Sequence, residues 1–178
     1  MIRRKTLYSV AAVAAAVIVV DQITKALATE SISRGEQVEV IGPLKFTLAF
    51  NDGIAFGLAG GGGILVIALS MVALVALGAF IASAPDRLGT WLAGGLILGG
   101  ALGNLLDRLR LGYVTDFIQL PNWPAFNIAD MSITIGVVLL AWTVIRHDET
   151  DSKQQGRGGD QTGAEPAEAE REVATGGS

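Results

Sequence analysis

The segment GGALGNLLDRLRLGYVTDF, Gly99–Phe117, decides the fold because a helix-like half and a strand-like half meet in it. Gly99 and Gly103 of the first half continue a series that begins at Gly95, just before the segment, and this spacing of four residues lets helices approach closely in lipid. The second half leads into YVTDFIQL, Tyr113–Leu120, which has the β-branched and aromatic residues of a strand. Two aspartates, two arginines and an asparagine interrupt this apolar region. Ionisable residues cost at least about 2.5 kcal/mol each at the bilayer centre and usually mark function.

The composition of the chain indicates a membrane protein. Of its 178 residues, 51% are hydrophobic and only 17% are charged, which is typical of chains that cross a bilayer. A spanning helix needs about 20 mainly apolar residues. Four windows approach that length: Thr6–Ala28, Ile64–Ala82, Leu88–Leu106 and Ile128–Ile145. We therefore predict an all-α membrane protein with four transmembrane helices, which form one domain over residues 1–146.

The loop after the first predicted helix has the pattern of a β-hairpin. Its sequence VEVIGPLKFTLAF, Val38–Phe50, alternates in places and is interrupted by Gly42 and Pro43, which are typical of a tight turn. The segment Tyr113–Leu120 can add a strand to this hairpin. We therefore predict a small extracytoplasmic β-sheet that lies on the membrane surface.

The basic residues predict the orientation of the helices. Arg3, Arg4 and Lys5 precede the first helix and Arg146 follows the fourth, and cytoplasmic segments carry an excess of such residues. Both termini are therefore predicted to be cytoplasmic. The N-terminal segment also has features of a removable signal peptide. We favour an uncleaved helix because Asp21 and further polar residues follow its apolar run.

The C-terminal segment, residues 147–178, differs in composition from the rest of the chain. It has no aromatic residue and carries eight acidic and three basic residues, so it cannot bury enough apolar surface to order itself. We predict a disordered, acidic, cytoplasmic tail. Because this tail accounts for the formal net charge of −4, the charge balance predicts no nucleic-acid partner.

Polar residues gather on one side of the predicted bundle. The extracytoplasmic helix ends and loops carry Asp21, Asn51, Asn104, Asp107, Asp116, Asn127 and Asp130. Several of them have an ordinary structural explanation when taken singly. Asp21 and Lys25 are four residues apart and can pair on a helix, and Asn127 with Asp130 can cap a helix. Together, the acids outnumber what caps and pairs require, which predicts a functional site.

The residue types restrict the chemistry of this site. The chain has no cysteine, and its single histidine, His147, lies beyond the last span. Cysteine catalysis, a Ser-His-Asp triad and a His-ligated zinc are therefore excluded, while a Ser–Lys dyad with Lys25 stays formally open. Two interpretations remain: two carboxyl groups that share a proton and activate water, or carboxylates that hold a divalent cation. The spacing of the acids fits a cation site poorly, but it does not choose Asp116 over Asp107.

Five short blocks occur in order along the chain. They are DQITK (Asp21–Lys25), NDGIAF (Asn51–Phe56), GGALGNLLDR (Gly99–Arg108), GYVTDF (Gly112–Phe117) and FNIAD (Phe126–Asp130). Together these blocks resemble the lipoprotein signal peptidase family, also called signal peptidase II. The resemblance implies a multi-pass aspartyl endopeptidase of the bacterial cytoplasmic membrane with its active site at the extracytoplasmic face.

The resemblance also implies a substrate and a role for each site residue. The family removes the signal peptide from diacylglyceryl-modified prolipoproteins by cleaving before the lipidated cysteine. The catalytic positions of the family match Asp116 and Asp130. The substrate-binding positions match Asn51, Asn104, Arg108 and Asn127, and the pocket-organising positions match Asp21, Lys25 and Asp107. We expect the enzyme to need no cofactor and no metal. We expect membrane lipid and prolipoprotein as its partners, and a monomer as its oligomeric state.

Two other classes of function remain as alternatives. A metal-dependent lipid transferase would also gather acids at a membrane surface, and full activity in the presence of a chelator would exclude it. A small transporter or scaffold predicts polar residues in both halves of the bundle, whereas the cytoplasmic half is nearly without them.

Overall fold

The computed structural model describes residues 4–53, 62–83 and 88–159 of the chain. These residues form four helices and three strands: α1 (Arg4–Ser31), β1 (Gln37–Ile41), β2 (Leu44–Asn51), α2 (Gly62–Ser83), α3 (Leu88–Leu111), β3 (Val114–Gln119) and α4 (Ile128–Gly159). The mostly helical architecture with one small sheet agrees with the predicted class.

Two helices are long and apolar enough to cross a bilayer, Arg4–Ser31 and Gly89–Leu111. Shorter apolar stretches lie in α2 at Ile67–Ala79 and in α4 at Ile128–Thr143. The described residues therefore contain two candidate spans. The prediction of four transmembrane helices is supported in part by these elements and stays a prediction.

Glycines let α1 and α3 pack closely. A Cβ added at Gly95 would lie 2.7 Å from Cβ of Val13, and one added at Gly99 would lie 2.7 Å from Cβ of Val17. No side chain fits at these distances, so only glycine permits this helix separation. The small-residue face predicted from the sequence is therefore the face that α3 turns towards α1.

The three strands form one antiparallel sheet in the order β1-β2-β3. The predicted hairpin is β1 and β2, and its turn contains Gly42 with a φ of 55°, a left-handed conformation that favours glycine. On the other side of β2, Ala49 lies opposite Asp116 and Asn51 lies opposite Val114. This register brings Asn51 and Asp116 into the diagonal relationship in which side chains of adjacent strands interact.

The sheet packs against the C-terminal end of α1. Ala28 of the helix and Ile32, which directly follows it, are buried together with Phe117 and Ile118 of β3. Ile118 also pairs with Phe126 in an isolated antiparallel bridge. Because Phe126 lies two residues before the start of α4, this bridge places the beginning of the last helix beside β3.

The chain divides into two compact units, Met1–Leu140 and Ala141–Ser178. The backbone of α4 continues to Gly159, beyond the domain boundary predicted after residue 146. Residues 160–178, the remainder of the predicted disordered tail, lie outside the described residues. The two-part division at residue 146 and the disorder of the tail stay predictions.

Candidate active site

Three charged side chains form a buried cluster between α1 and α3. Nζ of Lys25 lies 2.8 Å from Oδ2 of Asp21 and 2.9 Å from Oδ2 of Asp107, and no member is more than 4% exposed. Buried ion pairs need further hydrogen bonds to satisfy their remaining polar atoms. Here Oδ1 of Asp21 accepts the backbone N–H of Ala129 at 2.9 Å, and Oδ1 of Asp107 accepts Nε2 of Gln22 at 2.8 Å. The cluster thus ties α1, α3 and the first turn of α4 together.

Asn104 connects this cluster to Asp130. Its Oδ1 accepts a hydrogen bond from Nζ of Lys25 at 2.9 Å, and its Nδ2 donates to Oδ1 of Asp130 at 2.7 Å. Asn104 lies on α3 one turn before Asp107, so the two side chains share a helix face. A continuous hydrogen-bonded path therefore runs from the buried charges to the carboxylate on α4.

Asn127 occupies the centre of the site and is fully buried. Its Nδ2 donates to Oδ1 of Asp116 at 2.6 Å and to Oδ1 of Asn104 at 3.2 Å. Its Oδ1 accepts the backbone N–H of Asp130 at 3.0 Å, and Oδ2 of Asp130 accepts the N–H of Asn127 at 3.3 Å. This reciprocal pair caps the N-terminus of α4. The residue that starts the helix therefore also contacts the carboxylate on β3.

Asp116 is buried at 3% exposure on the central part of β3. Burial is the main cause that raises the pKa of its carboxyl group to about 6, and the negative charge of Asp130 raises it further. Hydrogen bonds from Asn127 and Asn51 and the positive charge of Lys25 act in the opposite direction. Two acids that interact in this way hold a shared proton more readily than either acid alone.

An apolar groove of about 330 Å³ opens beside the partly buried Asp130. Its walls come from the β3–α4 connection and the first two turns of α4, and they include Leu120, Trp123, Phe126, Met131 and Ile135. Such a groove can hold the apolar part of a ligand against these walls.

Comparison with known proteins identifies the family. The family model described as signal peptidase (SPase) II matches residues 13–146 of the chain. The match includes every residue of the polar network. The chain belongs to the signal peptidase II family. This result confirms the family that the five sequence blocks predict, which is a family of bacterial membrane-associated proteases.

Curated relatives and solved structures agree with this assignment to signal peptidase II. A lipoprotein signal peptidase of Moorella thermoacetica is 43% identical over 131 residues, covering 72% of this chain and 87% of the relative. A lipoprotein signal peptidase of Pseudomonas fluorescens is 43% identical over 147 residues, covering 75% and 85%. A bacterial membrane enzyme solved by the in meso method at 1.9 Å superposes with a TM-score of 0.71 at 35% identity, covering 76% of this chain and 91% of that one.

Two predicted residues lie at the edge of this signal peptidase II site. Asn51 is exposed at the end of β2 and reaches Asp116 through a hydrogen bond. Arg108 is partly buried on α3, within electrostatic reach of Asp107, Asp116 and Asp130. Its Nε is buried and has no hydrogen-bond partner among the described residues. The structure thus brings all nine predicted site residues of the chain together.

Two members of the network, Gln22 and Thr115, were not predicted from the sequence. Nε2 of Gln22 bonds Asp107, and Oε1 of Gln22 accepts Nη1 of Arg110 at 3.2 Å. A glutamine beside Asp21 near the end of an apolar helix was the available signal for this residue. Thr115 donates its backbone N–H to Oδ2 of Asp107 at 3.2 Å. This contact cannot be predicted from the pattern of side chains because it involves a backbone group.

Proposed function

We propose that the chain is a membrane aspartyl endopeptidase that removes the signal peptide from diacylglyceryl-modified prolipoproteins by cleaving before the lipidated cysteine. The observation that carries the proposal is the position of Asn127, which donates to Asp116 and caps the helix that bears Asp130. Membership of the signal peptidase II family supports the substrate class.

The chemistry requires a water molecule between Asp116 and Asp130, with one proton on the pair. The ionised carboxylate takes a proton from water, whose oxygen adds to the scissile carbonyl carbon, while the protonated acid donates its proton to the carbonyl oxygen. When the C–N bond breaks, the first acid returns its proton to the leaving amine and the second regains one from the hydroxyl group. The raised pKa of Asp116, about 6, supports this residue as the protonated partner.

The remaining polar residues then bind the substrate around the scissile bond. Asn51 and Arg108 border Asp116 and offer donors for substrate carbonyl oxygens, because amide and guanidinium N–H groups suit extended peptides. Asn104 and Asn127 line the same pocket and hold the two acids. Asp21, Lys25 and Asp107 organise the pocket from behind.

The location of the substrate supports a particular arrangement in the membrane. The acyl chains of a prolipoprotein lie in the outer leaflet, so the bond to be cut lies near that interface. We therefore infer four spanning helices in the bacterial cytoplasmic membrane, both termini in the cytoplasm and the site at the extracytoplasmic face. One chain supplies all nine site residues, which supports a monomer as the active form.

Cleavage of a diacylglyceryl-modified prolipoprotein in detergent tests the proposal. Wild type should cleave with a chelator present, whereas Asp116→Asn and Asp130→Asn should each lose activity by about 10²- to 10⁴-fold, the range for removal of an acid–base group. Glu39→Gln is the matched control because it removes an exposed carboxylate of β1 in the same sheet. Wild-type activity in either aspartate variant would reject the assigned pair, and loss of activity in chelator would favour the metal-dependent alternative.

A further inference from the structure

Lys25 uses all of its hydrogen-bonding capacity inside the protein. An ammonium group has three N–H donors and no acceptor. Three oxygens lie within 2.9 Å of Nζ, namely Oδ2 of Asp21, Oδ2 of Asp107 and Oδ1 of Asn104. Two of these contacts neutralise charge. The third contacts a neutral amide that has no role in the ion pairs.

This third contact fixes the direction of the Asn104 amide. An amide rotated by half a turn would place its NH₂ group against Lys25, and two donors cannot bond each other. The oxygen of Asn104 must therefore face Lys25, and its NH₂ group must face Oδ1 of Asp130 at 2.7 Å. The other donor to the same oxygen, Nδ2 of Asn127, is uncharged, lies farther away at 3.2 Å and is shared with Asp116.

The direction of this bond decides whether Asp130 meets a donor or an acceptor from Asn104. A carboxylate oxygen that accepts an N–H hydrogen bond is stabilised in its ionised form. If the amide oxygen faced the carboxyl group instead, only a protonated carboxyl group could form a hydrogen bond with it. We propose that Lys25 is a positioning residue for the cleavage reaction, because it holds Asn104 in the orientation in which the amide N–H bonds the carboxylate of Asp130, the group that accepts a proton from water. This inference rests on the proposed function.

Other charged groups also face the two acids, and any test must separate their effects. Arg108 on α3 and Lys25 on α1 are the positive groups, and Asp107 on α3 is a further negative group. The acids Asp116 and Asp130 act on each other. Removing Lys25 alone would change both the amide orientation and the net charge, so a charge-balanced comparison is needed.

The experiment compares Asp107→Asn with the double variant Asp107→Asn/Lys25→Met. The double variant loses one negative and one positive group. The formal net charge of the site formed by Asp21, Lys25 and Asp107 therefore stays the same as in wild type. We measure kcat and KM for prolipoprotein against pH, together with the unfolding temperature. A purely electrostatic role predicts that the double variant returns to the wild-type pH profile.

Our proposal predicts a different result for the double variant. The acidic limb of the pH profile of kcat moves to higher pH by about one unit, which is the size expected from one charge-assisted hydrogen bond. The value of KM stays within about twofold of wild type because Lys25 does not reach the substrate. A merely structural role would lower the fraction of active enzyme and leave the acidic limb in place, which would overturn the proposal.

A second variant decides the question if the double variant does not fold. Asn104→Leu has a similar volume, keeps both ion pairs of Lys25 and removes the N–H donated to Asp130. The acidic limb of its pH profile should move in the same direction, and an unmoved limb in the folded protein overturns the proposal.

Wild type and Asp116→Asn are measured alongside these variants. If wild type fails to cleave, the proposed function falls and the inference falls with it. If wild type cleaves, Asp116→Asn does not, and the acidic limb of the test variant is unmoved, the inference alone falls.

Discussion

Nδ2 of Asn127 lies 2.6 Å from Oδ1 of Asp116, and both residues are almost completely buried. Asn127 is also the residue at which α4 is capped, since its Oδ1 accepts the N–H of Asp130. The start of a helix and the middle of a strand are therefore held by one side chain. This arrangement makes the relative position of the two acids a property of the fold and not of a flexible loop.

The pH dependence of cleavage should respond to Asn51. Its hydrogen bond lowers the pKa of Asp116, which burial and Asp130 together raise to about 6. In Asn51→Ala this pKa rises further, so the proton of the pair is retained to higher pH and the basic limb of kcat/KM moves upwards. The pH profile of cleavage measures the change, with Glu39→Gln as the control. A basic limb that moved to lower pH would contradict the assignment of Asp116 as the protonated acid.

Gly99 should be intolerant of any side chain. A Cβ at this position would lie 2.7 Å from Cβ of Val17 and 2.8 Å from the backbone oxygen of Ala14, so α1 and α3 would have to separate. We expect Gly99→Ala to lower the free energy of unfolding by about 1–3 kcal/mol, the usual cost of overpacking. Thermal unfolding in detergent measures this loss. Gly78→Ala on α2 is the control because a Cβ there meets nothing within 4 Å, and equal destabilisation of the two variants would refute close packing at Gly99.

Asp21 should be important for stability rather than for chemistry. Asp21→Leu removes one partner of Lys25 and leaves the N–H of Ala129 without its acceptor. Breaking a buried pair in this way costs about 3 kcal/mol, so the unfolding temperature should fall clearly. Ile23→Ala, at a position that is 54% exposed on the same helix, is the control and should change much less. A similar unfolding temperature for Asp21→Leu and wild type would show that the cluster does not stabilise the fold.

The absence of cysteine from the sequence makes the topology directly testable. Single cysteines at Lys45 and at Arg146 should react differently with a membrane-impermeant maleimide applied to intact spheroplasts. Lys45→Cys on β2 should be labelled, because the proposed topology places the sheet outside, and Arg146→Cys should be labelled only after lysis. Labelling of both positions in intact cells would contradict four spans with cytoplasmic termini.

Several elements were predictable because their causes are local. The apolar runs and the glycine spacing of α3 predicted helices, and the hairpin pattern with Gly42 predicted β1 and β2. The continuation of α4 to Gly159 was not predicted. Composition alone argued against order there, whereas a helix can extend from an established one without a packed core because adding a residue costs less than nucleation.

The sequence by itself determined the family, the class of fold and the residue types available for chemistry, because hydropathy, residue spacing and motif order are properties of the chain. It left the choice between Asp107 and Asp116 open on physical grounds. Only the tertiary structure decided that Asp107 bonds Lys25 and Gln22, while Asp116 bonds Asn127 and lies within the electrostatic influence of Asp130. The physical reason is that hydrogen bonds act over about 3 Å, and the partners come from α1, α3, β3 and α4, which only folding brings to that distance.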